Sequence, residues 1–115
     1  MIEKVGRGSV AVCVYCSSSS AVDAAYFGVA EAMGRAIAER GWTLIWGGGR
    51  VGLMGAVADA ARAGGAAVVG VIPESMTSVE VAYHDADELV VTVDMRTRKQ
   101  VMDERSDAFV VLPGG

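Results

Sequence analysis

Short apolar runs alternate along this chain with longer stretches in which apolar residues recur at helical spacing. The run SVAVCVYC (9–16) is continuous and rich in β-branched residues, and a serine-rich turn at 17–20 ends it, so it reads as a strand. From 24 to 40 the apolar positions Ala25, Val29, Met33 and Ile37 fall four apart, on one face of a helix. Asp23 stands where an N-cap belongs, and Gly41 where a helix stops. The same reasoning predicts strands at 42–46, 66–72, 88–93 and 107–112, and helices at 52–63 and 95–105. Residues 73–87 read as an irregular polar loop, long enough to be functional.

Strands apolar on both faces with helices between them predict an α/β fold: a Rossmann-like parallel sheet with helices on both faces. Sheets of this kind bind ligands at the carboxyl ends of their strands. Here those ends are residues 16–20, 47–49, 73–80, 94–95 and 113–115, and every distinctive stretch of the sequence falls on them. The fifth strand runs to Leu112 with no helix after it. The expectation is therefore a single nucleotide-binding α/β domain over 1–115, truncated after Gly115, with its C-terminal part missing.

Composition narrows the function. At 52% apolar residues the chain carries a packed core. Ten basic against 14 acidic residues, a net charge of -4, argue against a nucleic-acid binder that depends on counterion release. Any phosphate must be gripped locally. The start has no signal-peptide pattern, and no apolar run reaches the roughly 18 residues that span a bilayer, so no membrane and a cytoplasmic home are expected. Cys13 and Cys16 sit three apart on a strand and so face opposite ways, as structural thiols rather than a redox pair. With His84 the sole histidine, no metal site is expected. Tyr83 and His84 read as surface residues.

The stretch LIWGGGRVGLMG places a glycine turn between a strand and a helix. Glycines let the backbone approach a ligand, and the helix start offers N–H groups to an anion, which makes Gly48 and Gly49 candidate contacts. Gly47, Gly49 and Gly52 also fit G-x-G-x-x-G, with Glu74 about 20 residues on, an NAD-binding alternative. Against that, the motif follows the second strand, and Arg50 intrudes where a pyrophosphate needs bare backbone. In VDMRTRKQVMDERSDAFVVLPGG, Arg96, Arg98 and Lys99 open a helix at the end that favours acids. A bound anion explains that conflict; a solvated face paired with Asp94, Asp103 or Glu104 is the plainer alternative. Ser18, in the serine run, is a candidate ligand contact or part of an ordinary turn.

Together CVYCSSSS, GGGRVGLMG, GVIPESM, DMRTRK and SDAFVVLPGG resemble the LOG family, cytokinin-activating phosphoribohydrolases, over nearly the whole chain from Val10. The resemblance implies hydrolysis of the N-glycosidic bond of cytokinin riboside 5′-monophosphates, AMP-type nucleotides, to free base and ribose 5-phosphate. It implies Arg98 as the catalytic arginine, Lys99 and Glu80 as substrate contacts, and Gly114 and Gly115 as the start of the phosphate-binding stretch. The family's PGGxGTxxE motif is represented only by Pro113, Gly114 and Gly115, so its catalytic glutamate would lie beyond Gly115. Arg96 replaces the histidine of the usual DMHxRK. No cofactor is implied. A homodimer is, with exposed Met54 or Trp46 as candidate contacts. A molybdenum-cofactor carrier, similar in fold and glycine motifs, is the non-catalytic alternative. Proteins of this family are often labelled lysine decarboxylases, but Lys4 and Lys99 are the only lysines and neither marks a pyridoxal site.

Overall fold

A computed structural model of the chain describes residues 10–17, 19, 21–77 and 81–113. Five parallel strands, β1 (Ala11–Tyr15), β2 (Thr43–Trp46), β3 (Val68–Pro73), β4 (Glu88–Thr92) and β5 (Ala108–Val111), form one sheet in the order β4-β3-β2-β1-β5. Three helices, α1 (Ala24–Glu39), α2 (Gly52–Ala63) and α3 (Met95–Arg105), cover it. This is the α/β architecture expected from the apolar pattern.

Alternation along each strand sorts side chains between two cores. Val12, Val14, Leu44, Trp46 and Val68 pack under α1 and α2, whereas Ala11, Cys13, Ile45, Val69 and Val71 meet Met102 of α3 on the opposite face. Cys16 joins the first core and Cys13 the second, so the two thiols do lie on opposite sides of the sheet. Burial raises both thiols, Cys16 to about 12, so neither is a ready nucleophile at neutral pH. Asp23 caps α1 by accepting from the N–H of Ala25 at 2.9 Å.

Two aspartates fasten the amino ends of neighbouring strands in the same way. Asp87 accepts from the N–H of Val68 at 2.7 Å and donates its own N–H to Val68 O at 3.0 Å. Asp107 does the same to Ala11, at 2.8 Å in both directions. At the other end the strand order turns between β1 and β5, and the crevice outside such a turn is where sheets of this type seat ligands. β5 is an edge strand and leaves Phe109 and Val111 exposed.

Trp46 is completely buried rather than exposed, because it ends a strand whose far neighbours close over it; it is not a surface contact for a second subunit. Tyr83 is likewise buried, at 7% exposure, while His84 beside it is exposed. The polar loop after β3 holds a 3-10 turn, Glu74–Met76, and then an isolated bridge between Gly49 and Ala82 that draws Tyr83 inward.

Candidate functional site

Arg98 lies in the second turn of α3, whose start at the carboxyl end of β4 is fixed by Asp94. The Asp94 carboxylate accepts from the N–H of Thr97 at 2.8 Å, and that bond holds its pKa below the usual range. The cap offsets the basic residues that follow. From there Arg98 turns inward and is only 8% exposed. Its Nε donates to Val71 O at 2.8 Å, one terminal nitrogen donates to Gly47 O, and the other reaches Met95 Sδ at 3.6 Å. Burial pulls the guanidinium below its ordinary pKa, but it remains charged near neutral pH. Among the described residues no carboxylate forms an ion pair with it. A buried cation held only by carbonyls and a thioether favours an incoming anion.

The glycine turn is organised by its own carbonyls. Gly47 O accepts from Arg98, Gly48 O from the N–H of Tyr83 at 2.8 Å, and Gly49 O from Trp46 Nε1 at 3.0 Å. Gly48 has a φ of +79°, which a side chain would strain. In a trans peptide the N–H points away from the preceding carbonyl, so the N–H groups of Gly48 and Gly49 face away from Arg98 and Tyr83 respectively. Val81 O takes the N–H of Arg50 at 2.9 Å, strapping the loop to the turn a second time. The start of α2 is less open than its sequence promised, since Ser17 O accepts the N–H of Met54 at 3.2 Å.

Arg96, Arg98 and Lys99 line one cavity of about 730 Å³ with Tyr15, Met95 and Asp103. That volume is within the rough 300–1,000 Å³ range of small-ligand sites. The acids that might have neutralised these cations are engaged elsewhere. Asp94 caps α3, Asp103 accepts from the Tyr15 hydroxyl at 3.1 Å, and Glu104 accepts from Gln100 at 3.2 Å. Arg98 thus turns inward, whereas Arg96 and Lys99 are solvated, with no ion pair to these acids among the described residues. A second cavity, of about 560 Å³ between α1 and α2, is lined by Ala38, Ala56, Ala60 and flanking charges and holds none of the candidate residues.

The structure therefore brings Arg98 onto the glycine turn that contains Gly48 and Gly49, and leaves Lys99 exposed at the mouth of the same cavity. Ser18, Glu80, Gly114 and Gly115 lie outside the described residues. Sequence reasoning missed the part played by Tyr83, Trp46 and Asp59. The Tyr83 hydroxyl donates to Asp59 Oδ1 at 2.7 Å, and its ring meets the Trp46 indole edge-on, centroids 5.3 Å apart. Burial and Asp59 together push the phenol up to about 12, so it stays a donor. The available signal was Trp46 itself: a tryptophan ending the apolar run LIW belongs inside and needs a partner for its N–H.

A family model described as "Possible lysine decarboxylase" matches residues 54–115, more than half of the chain. The chain belongs to that family, the LOG family. It is 57% identical over 108 residues to a cytokinin riboside 5′-monophosphate phosphoribohydrolase of Mycobacterium tuberculosis, covering 94% of this chain and 57% of that protein. It is 54% identical over 113 residues to the protein of the same name from Mycobacterium marinum, covering 98% of this chain and 59% of the relative. The chain thus spans a little over half the length of these two LOG-family relatives. Among solved structures, the molybdenum cofactor carrier protein of Chlamydomonas reinhardtii aligns with a TM-score of 0.78 at 23% identity, over 93% of this chain and 64% of that one. At that identity the likeness is one of fold.

Proposed function

We propose that this LOG-family protein hydrolyses the N-glycosidic bond of cytokinin riboside 5′-monophosphates, releasing free base and ribose 5-phosphate. The observation that carries the proposal is the inward turn of Arg98, a buried cation with no carboxylate partner among the described residues, lodged against the glycine turn at the strand tips. The phosphoribohydrolase names of relatives at 57% and 54% identity support it. In this reading Arg98 is the catalytic arginine, and Glu80, Lys99, Ser18, Gly48, Gly49, Gly114 and Gly115 contact the substrate.

Cleavage of an N-glycosidic bond builds positive charge on the ribose, as in glycoside hydrolysis. A carboxylate beside that charge stabilises it or activates water, and the family pattern assigns this to a glutamate after Gly115. Arg98 stays protonated, so its work is to anchor and orient the nucleotide rather than to donate a proton. Its two carbonyl bonds fix the guanidinium plane before substrate arrives, which lowers the ordering cost of binding. The same proposal includes a cytoplasmic homodimer. Among the described residues no helix is long and apolar enough to cross a membrane.

The test is release of free base from isopentenyladenosine monophosphate, followed by chromatography. Wild type releases base and Arg98→Ala does not; near-wild-type release by Arg98→Ala overturns the assignment. The carrier reading, favoured by fold likeness to a molybdenum cofactor carrier protein, is separated by incubation with AMP. Adenine production supports the enzyme, and tight binding without adenine supports the carrier.

A further inference from the structure

Four contacts link α2 to the glycine turn through the loop after β3. Asp59, on α2, accepts from the Tyr83 hydroxyl at 2.7 Å. The Tyr83 ring stands at 86° to the Trp46 indole, and the Tyr83 N–H donates to Gly48 O at 2.8 Å. Trp46 Nε1 in turn donates to Gly49 O at 3.0 Å. Tyr83 thus touches the turn by two routes, one through its backbone and one through the indole it braces. The first route fixes the Gly48–Gly49 peptide, and so the Gly49 N–H; the second fixes the Gly49–Arg50 peptide, whose N–H donates to Val81 O.

A buried phenol needs an acceptor for its hydroxyl, and Asp59 is the one that Tyr83 finds. Asp59 is itself exposed, so water can solvate its carboxylate if the bond is lost. The bond consequently does more to orient the ring than to satisfy the aspartate. We infer that Tyr83, oriented by Asp59, is a positioning residue for the Gly47–Gly48–Gly49 turn and sets the direction of the Gly49 N–H group toward the nucleotide. The inference deepens the nucleotide reading of this site and rests on it for the ligand, while the ordering of the turn stands apart from any activity.

The experiment pairs two readouts on the same variants. Proton exchange at the Trp46 indole N–H, followed by NMR, reports the turn, and AMP affinity and the KM–kcat split report the site. Tyr83→Phe and Asp59→Ala are expected to speed indole exchange about tenfold and to raise the AMP Kd and KM about three- to tenfold, the range of one lost hydrogen bond, with the loss in KM rather than kcat. Asp59→Asn, whose amide oxygen still accepts, stays within about twofold of wild type on both readouts. Unchanged exchange and affinity in Tyr83→Phe and Asp59→Ala overturn the inference. So does an Asp59→Asn as impaired as Asp59→Ala, or a loss that tracks a falling Tm. If wild type neither binds nor cleaves AMP or isopentenyladenosine monophosphate, the proposed function fails, and the exchange arm still decides whether Tyr83 orders the turn.

Discussion

The guanidinium of Arg98 occupies the space that a methyl group on Gly47 would fill. A Cβ built at position 47 meets the terminal nitrogen of Arg98 and lies 2.7 Å from Met54 Cε. The two residues therefore depend on each other, one supplying the carbonyl and the empty space, the other the donor. Gly47→Ala is expected to expel the arginine, costing about 1–3 kcal/mol as an overpacking change. Activity should fall with it toward that of Arg98→Ala, measured as free base released alongside thermal unfolding.

Arg98→Lys keeps a charge but not the planar fork that spans Val71 O and Gly47 O. A displacement of about 1 Å in a positioning group can cost on the order of a hundredfold, and a loss of that order in kcat/KM is expected here. A lysine variant with wild-type kcat/KM would show that charge alone suffices.

Lys99 presents the opposite case, exposed at the cavity mouth and without a bonded partner among the described residues. Lys99→Ala should raise KM for nucleoside monophosphates by a few-fold, about 1 kcal/mol or less, and leave kcat nearly unchanged. Because the attraction is screened, the difference from wild type should shrink as salt rises, which a KM series in sodium chloride would show.

Asp87→Ala tests stability without touching the rim. It removes the acceptor for the Val68 N–H and should cost about 1 kcal/mol, seen as a lower Tm, with AMP affinity unchanged. A change in affinity would mean that the two ends of the sheet are coupled.

Acid should weaken the fold through two carboxylates. Arg105 holds Glu88 below its ordinary pKa, and the Thr97 N–H does the same for Asp94. A carboxyl depressed in the folded state contributes stability above its unfolded pKa, about 4, and loses it as pH falls through the lower folded value. Denaturant midpoints should therefore drop below about pH 4, and less steeply in Glu88→Gln and Asp94→Asn. Both groups are largely solvated, so each share is small.

Strand and helix periods were legible from the sequence alone, to the residue for α2 and α3 and within a few residues elsewhere. The start of β3 is later than the apolar run because the Ala66 N–H still closes α2 on Ala61 O, and Ala67 lends the sheet only its carbonyl, to Leu44. At the site, the basic cluster with its misplaced charge pointed to Arg98, since a cation at a helix start has to be accounted for. The sequence did not disclose where the guanidinium ends, because Val71 and Gly47 offer main-chain oxygens that any residue would carry. Tyr83 was misjudged for a related reason. Its neighbours His84 and Asp85 are polar and exposed, and only the long-range bridge between Gly49 and Ala82 brings it inside.

The two cysteines, separated by the thickness of the sheet, amount to a pair of built-in sensors. An alkylating reagent that reaches the buried Cys13 reports loosening beneath α3, and the half-buried Cys16 at the strand tip serves as the readily reached reference. Mass spectrometry of the two modified peptides would then time the opening of the α3 side against that reference in one experiment.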